Sequence, residues 1–268
     1  MVRIYSGEVF STANMMDADV FDGTIKTADE AKKLCVAANR ILALEKVLDA
    51  FGHVSVRNPE NPETFFISWA TSPEFVTIDD ILECDLDGTV LTKSTRRAYG
   101  ERIIHASIMR RRPDVNAVCH AHPATLFPFV CGDIPFQAVT PGCAIFHEGV
   151  PMLTQWDPES GLHISTASAG ESLAKTLGQK RAALIRSHGM VVTGDYTQQM
   201  VLSSIALMEG ADILWKVLAI GAAPRPLGAD EAKNAAAVGL GAISVERAWN
   251  YRVVKLKEAF PDLCDLGI

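Results

Sequence analysis

The segment Asn116-Ala-Val-Cys-His-Ala-His-Pro123 decides the fold, because it is an apolar run that ends in two histidines and a proline. Side chains alternate between the two faces of a strand, so His120 and His122 would share one face. Cys119 and Ala121 would then point to the opposite face. Same-face neighbours lie roughly 6.5 Å apart at the backbone, a span over which two imidazoles can converge on one divalent ion. The segment therefore predicts a buried strand that carries half of a metal site.

A third histidine follows in Ser187-His188-Gly189, a predicted tight turn between two apolar runs at 182–186 and 190–193. Three imidazoles would leave an open position on the ion, which is typical of a catalytic rather than a structural metal. Taken alone, a His-x-His pair is more often an ordinary pair of polar residues, and a histidine before glycine is more often a turn residue. It is their combination that favours a metal site.

A candidate proton carrier precedes the central strand. Glu101 lies at the start of a predicted helix that leads directly into the strand of His120, and His105 follows Glu101 on the same helix face. A carboxylate beside a metal can move protons, so Glu101 is the predicted acid or base. His105 could orient it, although a helix-packing role fits the pattern equally well.

Composition excludes several classes of function. The net charge of −7 and the pI near 5.5 argue against nucleic acid or an anionic membrane as the partner. The six cysteines contain no C-x-x-C pair and are interpreted as reduced thiols, and no signal peptide precedes them. No apolar run reaches the roughly 18 residues that a membrane helix needs. We expect a cytoplasmic protein that binds small molecules.

Helical and strand patterns alternate along the chain. Helices are predicted at about 27–51, 99–111, 123–131, 170–177, 195–220 and 229–259, with Asp195 as a cap and with an interruption near Gly239 and Gly241. Strands are predicted at 53–57, 64–68, 116–122, 136–139, 144–146, 151–154, 182–186 and 190–193, with a hairpin over 83–91 that turns at Asp87-Gly88.

These patterns predict one α/β domain with a central, mostly antiparallel sheet flanked by helices. The hairpin signals make a doubly wound parallel sheet less favourable. We divide the chain into an N-terminal arm at 1–26, a catalytic domain at 27–222 and a C-terminal helical segment at 223–268 that packs on the domain.

Four motifs occur together in a characteristic order: Gly52-His-Val-Ser-Val-Arg57, Glu101 to His105, Arg112 to His122, and Leu184-Ile-Arg-Ser-His-Gly189. Over roughly residues 30 to 220 the chain resembles the class II aldolase/adducin family. The resemblance implies an enzyme whose sheet lies between helix layers, and a homotetramer with active sites at subunit interfaces.

The resemblance also implies roles for individual residues. His120, His122 and His188 match the three histidines that hold a divalent metal in that family, and Glu101 matches its acid/base glutamate. The family usually binds zinc. The branch that this chain resembles favours Mn²⁺, with Zn²⁺ as the alternative, since three neutral imidazoles suit zinc equally well.

Four departures from the family pattern bear on the substrate. Sugar-phosphate members bind phosphate through a G-N-x-S asparagine, a T-G turn and a Ser-Ser pair before the glutamate. This chain has His53, Ala70-Thr71 and Tyr99-Gly100 at those places. The tyrosine that follows an Ile-Pro in the aldolases has no counterpart after Ile134-Pro135. A phosphorylated sugar is therefore disfavoured, and the pattern is similar to the branch that decarboxylates hydroxy-aromatic and hydroxypyridine carboxylates.

Candidate substrate contacts follow from residue type. A flat anionic ring would pack on an aromatic side chain and bind cationic or polar groups. Tyr99, Trp69 and Phe65 are candidates for ring packing, although each is more often a core residue. The candidate polar contacts are His53, Thr71, Arg102, Arg186 and His163.

Two other functions stay open at this point. An aldolase or epimerase would use the same metal and acid on a sugar or another hydroxy-carbonyl compound. A non-catalytic, adducin-like interaction domain would keep the fold but would not need the three ligands, so their presence disfavours it.

Overall fold

The computed structural model describes residues 23–156 and 161–267. Within these ranges seven strands form one sheet in the order β3-β2-β1-β4-β7-β6-β5. The strands are β1 His53–Arg57, β2 Thr64–Ser68, β3 Ile81–Asp85, β4 Ala117–Ala121, β5 Met152–Leu153, β6 Ala182–Ile185 and β7 Gly189–Gly194. Every neighbouring pair is antiparallel except β5 and β6, which are parallel.

Strand β4 lies at the centre of the sheet and carries the first predicted histidine. It pairs with β1 so that His120 is opposite His53, and with β7 so that His120 is opposite Val191. All five of its residues are buried. Cys119 and Ala121 pack in one core cluster while Val118 packs in the other, so the predicted alternation of faces is confirmed.

Helices cover both faces of the sheet. The helices are α1 Ala28–Leu44, α2 Arg102–Arg111, α3 Phe127–Cys131, α4 Ala167–Leu177, α5 Thr197–Ala219, α6 Ala229–Gly239 and α7 Ala242–Ala259. One core cluster joins the sheet to α1, α5 and α7, and the other joins it to α2 and α4. The predicted fold class, a mostly antiparallel sheet flanked by helices, is confirmed.

Two arginines from the sequence motifs hold the C-terminal ends of α2 and α4. Arg57 Nη2 donates to the carbonyls of Met109 at 2.8 Å and Arg112 at 3.1 Å. Arg112 Nη1 donates to the carbonyl of Gly178, which follows α4, at 2.8 Å. Cations at these positions satisfy carbonyls that have no partner within the helix. Both helices are therefore fixed at the end that lies away from the histidines.

Some sequence predictions were wrong. Residues 136–139 form no strand, and the predicted strand at 144–146 lies inside the 3₁₀ helix Pro141–Phe146. Pro135 and Pro141 have no N–H to donate to a ladder, which favours turns here over pairing. The predicted hairpin at 83–91 keeps its turn at Gly88, but its second arm, 89–91, is not a full strand. This arm is joined to β3 by one isolated bridge, Cys84 with Val90. Tyr196, not Asp195, is the N-cap of α5.

The two ends of the chain differ in what the structure describes. Residues 1–22 of the predicted arm lie outside the described ranges. In the C-terminal segment, Trp249, Val253 and Leu256 of α7 are buried in the core cluster that contains α1 and α5. None of the described helices combines the length and the apolar character that a membrane span requires.

The packing of α2 against α4 depends on Gly170. A Cβ atom at this position would overlap Ser107 Oγ and would approach Ile103 Cγ2 to 2.7 Å. We expect Gly170→Ala to cost about 1–3 kcal/mol of unfolding free energy through overpacking, which lowers Tm by several degrees. Gly239→Ala is the matched control, because a Cβ there meets no atom within 4 Å. Equal melting temperatures for the two variants would contradict this account of the helix interface.

Candidate metal centre

His120 is the penultimate residue of β4, and its ring is held by the backbone of the neighbouring strand β7. The His120 side chain is fully buried, and its Nδ1 lies 3.0 Å from the carbonyl oxygen of Met190. A carbonyl can only accept, so Nδ1 carries the proton and donates it. In a neutral imidazole Nε2 is then bare, with its lone pair available to a ligand.

His122 follows two residues later and has a carboxylate behind it. Its Nδ1 lies 3.3 Å from Asp49 Oδ1, and its Nε2 lies 3.0 Å from His120 Nε2. An ionised carboxylate can only accept, so His122 also donates from Nδ1 and leaves Nε2 bare. Two bare nitrogens facing each other at this distance repel unless a positive charge lies close to both. The pair therefore forms part of a cation-binding site.

His188 reaches the same place from the turn between β6 and β7. Ser187 has a left-handed backbone with φ of 57°, which turns the chain toward β4. Gly189 allows the close approach, since a Cβ there would overlap the Ala121 carbonyl oxygen and lie 2.8 Å from His122 Cδ2. Burial and the neighbouring His120 lower the pKa of His188 to about 4, so its ring is neutral at pH 7.

Glu101 completes the cluster from the N-cap position of α2. Its Oε2 lies 3.5 Å from His120 Nε2, its Oε1 lies 3.5 Å from His188 Nε2, and the N–H of Ile164 donates to Oε1 at 2.9 Å. Burial alone would raise the pKa of Glu101, but His120, His188 and the Ile164 N–H together hold it well below its usual range. Glu101 is therefore ionised at neutral pH.

The four side chains suit a divalent cation. One ligand atom from each of Glu101, His120, His122 and His188 lies within 4.8 Å of all the others. Imidazole nitrogen with carboxylate oxygen is a donor set that zinc and manganese both accept. The structure brings the three predicted histidines and the predicted glutamate together at one point.

A chain of buried polar groups lies directly behind this cluster. His53 Nδ1 is 2.7 Å from His105 Nε2, and His105 Nδ1 is 2.7 Å from Ser55 Oγ. Burial lowers the pKa of His53 and brings that of His105 to about 3, so both rings are neutral. If Ser55 donates to His105 and His105 to His53, every hydroxyl and N–H between them has a partner. His53 would then present Nε2–H, which meets no partner among the described residues.

The cluster forms one wall of a cavity of about 940 Å³. Thr71, Tyr99 and His163 line this cavity together with Glu101, and His163 Nδ1 lies 3.6 Å from Glu101 Oε1. Phe51, Phe127 and Leu162 provide apolar surface. No lysine or arginine is found among the described residues that line it.

Other candidates from the sequence lie away from the cavity surface. His53 is fully buried, and its ring centroid is 4.3 Å from that of Tyr99. Arg102 donates to the carbonyls of Gly88 and Tyr99, which fixes the loop before α2. The remaining three are engaged elsewhere: Phe65 in the core, Trp69 with Asp80, and Arg186 with the Thr154 carbonyl.

Several groups at the site were not found from the sequence. Asp49 lies 73 positions before His122, in a loop beyond the end of α1 at Leu44, where the sequence had wrongly predicted that the helix continues to 51. Met190 and Ile164 contribute only backbone atoms, which leave no trace in residue type. A carboxylate three positions before Gly52 was the one available signal, and nothing in the sequence connects it to His122.

Comparison with known proteins gives a family and several relatives. The profile of the class II aldolase and adducin N-terminal domain matches residues 32–215. The decarboxylase tropJ of Talaromyces stipitatus is 27% identical over 203 residues, covering 70% of this chain and 76% of that protein. The 3,4-dihydroxyphthalate decarboxylase of Arthrobacter keyseri is 24% identical over 245 residues, covering 86% and 95%.

A solved structure has the same fold. L-fuculose 1-phosphate aldolase from Glaciozyma antarctica superposes with a TM-score of 0.74 at 24% identity, covering 87% of this chain and 91% of that one. At this level of identity the likeness concerns the fold alone.

The buried neutral histidines predict a pH dependence of stability. An unfolded histidine titrates near 6.5, whereas the pKa values of folded His53 and His105 are lowered, so below pH 6.5 the unfolded state binds protons that the folded state does not. We expect the unfolding free energy of the metal-free protein to fall by about 1–2 kcal/mol between pH 6.5 and about 5.5. Urea unfolding at each pH measures it, and a constant or rising free energy would contradict it.

Proposed function

This chain belongs to the class II aldolase and adducin family, and from that premise we propose that it is a metal-dependent decarboxylase of a hydroxy-aromatic carboxylate. Two relatives that align over most of the chain are decarboxylases by name. The substrate that we propose is 3-hydroxy-2-methylpyridine-4,5-dicarboxylate, an intermediate of vitamin B6 breakdown. It presents a ring hydroxyl next to a carboxylate.

The facing Nε2 atoms of His120 and His122, with Glu101 beside them, carry this proposal. We propose that His120, His122 and His188 hold the ion, with Mn²⁺ favoured and Zn²⁺ as the alternative. When bound, such an ion supplies Lewis acidity, which stabilises the negative charge that the ring gains when CO2 leaves.

Glu101 is ionised, as the first step of the proposed reaction requires. Because its pKa is held low, Glu101 is ionised and can accept the proton of the ring hydroxyl. The bond between the ring and the carboxylate then breaks, CO2 departs, and the electron pair stays on the ring. Glu101 returns its proton to that carbon, so hydrogen replaces the lost carboxylate. The ring oxygen, which gave its proton to Glu101 in the first step, is then reprotonated by water.

The cavity walls would orient the ring. Thr71, Tyr99 and His163 line the cavity, and burial raises the pKa of Tyr99 to about 12, so its hydroxyl stays protonated. We propose that these three contact the substrate. Because the described lining contains no lysine or arginine, carboxylates would depend on the ion and on neutral donors. We place His53 and Arg102 behind this layer, His53 as the support of the Tyr99 ring.

An aldolase or epimerase that acts on a sugar or another hydroxy-carbonyl compound is the alternative, because it would use the same metal and the same acid. The arrangement at the expected phosphate site disfavours a sugar phosphate. His53 stands there fully buried and bound to His105. An imidazole in that position is closed to a phosphate group. The decarboxylase therefore remains the better interpretation.

We propose a homotetramer with active sites at subunit interfaces. Three apolar side chains at the cavity are exposed in a single chain: Phe51 at 74%, Leu162 at 50% and Phe127 at 38%. Burial of such groups against a second copy would be favourable. We expect the native protein to have four times the 29.0 kDa mass of the chain by light scattering. A stable, active species of single-chain mass would contradict the tetramer.

The proposed reaction predicts metal-dependent CO2 release. We expect the Mn²⁺-loaded protein to release CO2 from 3-hydroxy-2-methylpyridine-4,5-dicarboxylate, or from 3,4-dihydroxyphthalate as a second probe. Chelator treatment should abolish turnover because it removes the ion, and His188→Ala should do so because the ion loses a ligand. CO2 capture together with metal analysis measures both effects.

Glu101→Gln serves as the companion variant. It keeps the shape of the side chain but cannot carry a proton, so turnover should fall about 10²–10⁴-fold while the protein still binds metal through its histidines. Aldehyde release from a sugar by the loaded wild type, without CO2 from either acid, would support the alternative. A wild type that retains no divalent metal would refute the proposed site.

A further inference from the structure

The three histidines differ in what stands behind each ring. His120 donates from Nδ1 to a backbone carbonyl, that of Met190, at 3.0 Å. His188 has a buried Nδ1 without a hydrogen bond of good geometry to any described residue. Among the described residues, His122 is the one of the three whose Nδ1 faces a carboxylate, that of Asp49 at 3.3 Å. The support of His122 is therefore the only one of the three that rests on another side chain.

Asp49 is itself fixed in place. Its Oδ1 accepts the backbone N–H of Phe51 at 3.0 Å and that of Gly52 at 2.9 Å, in the loop just before β1. It forms an ion pair with no lysine or arginine of the described chain, and its one charged or chargeable partner is His122. Its negative charge is thus directed at the histidine and is not neutralised elsewhere.

We propose that Asp49 is the positioning residue that sets the metal affinity of this site through His122. A carboxylate that accepts from Nδ1 fixes the tautomer, so Nε2 is bare and points at the ion, and it makes that nitrogen a stronger donor. The inference rests on the proposed metal site.

A purely structural role is the competing explanation, because Asp49 also shapes the 51–52 turn. Asp85 provides a matched comparison. Its Oδ1 accepts the N–H groups of Asp87 at 3.0 Å and Thr89 at 2.7 Å in the turn after β3, with no histidine bound to it. A loss that comes from weakening such a turn would be similar for both aspartates, whereas a loss through His122 would be confined to Asp49.

The test measures metal affinity rather than turnover. Wild type, Asp49→Ala, Asp49→Asn and Asp85→Ala are titrated with Zn²⁺ in competition with a chromophoric chelator, and Co²⁺ spectra record the ligand field. We expect Asp49→Ala to raise Kd about 10–100-fold and to change the Co²⁺ spectrum. Asp49→Asn keeps the acceptor oxygen without the charge, so its Kd should lie between those of the wild type and Asp49→Ala. Asp85→Ala should keep the wild-type Kd.

A second background isolates the route of the effect. In the His122→Gln protein, Asp49 has no imidazole to act on, so adding Asp49→Ala should leave Kd within about twofold of His122→Gln alone. An equal loss in both backgrounds, or an unchanged Kd in Asp49→Ala, would overturn the proposal. A wild type that binds neither Zn²⁺ nor Co²⁺ would instead refute the metal site itself.

Discussion

The pairing of β4 on both of its edges is the constraint on which the site depends. Because β1 pairs with β4 from Ala117 to His120 and β7 pairs with it from Ala117 to Ala121, His120 cannot shift along the sheet or rotate to the other face. The same pairing fixes the position of His188 relative to His120, since β7 begins at Gly189, directly after His188. Two of the candidate ligands are thereby fixed by backbone ladders, whose geometry is insensitive to solvent.

Glu101 reaches the cluster by different means. It stands at the N-terminal end of α2, where the helix has no ladder to hold it. Arg57 and Arg112 secure α2 and α4 at their opposite ends, and Gly170 lets the two helices meet closely. The arginines of the two motifs thus act on the position of Glu101 from a distance, by holding the helix and not by touching its carboxylate.

Much of this arrangement could be predicted from the sequence, and the physical reasons are specific. The face shared by His120 and His122 follows from the period of a strand, and the hairpin at His188 follows from two apolar runs around a glycine. Asp49 could not be predicted, because the helical pattern continues to 51 while the helix ends at Leu44, and the contact with His122 depends on how the loop after it folds back on β4. The burial of His53 was missed for a related reason. Its strand face was predictable, but the partner that encloses it, His105, belongs to another element.

The absence of lysine and arginine from the described cavity lining gives the cavity a definite electrical character. Glu101 and Asp49 are both acidic, and burial lowers the pKa values of His122 and His188 beside them, so the chain by itself presents a negative potential to an approaching carboxylate. A bound divalent cation would cancel these two negative charges. A carboxylate substrate should therefore bind more weakly to the metal-free protein than to the metal-loaded one.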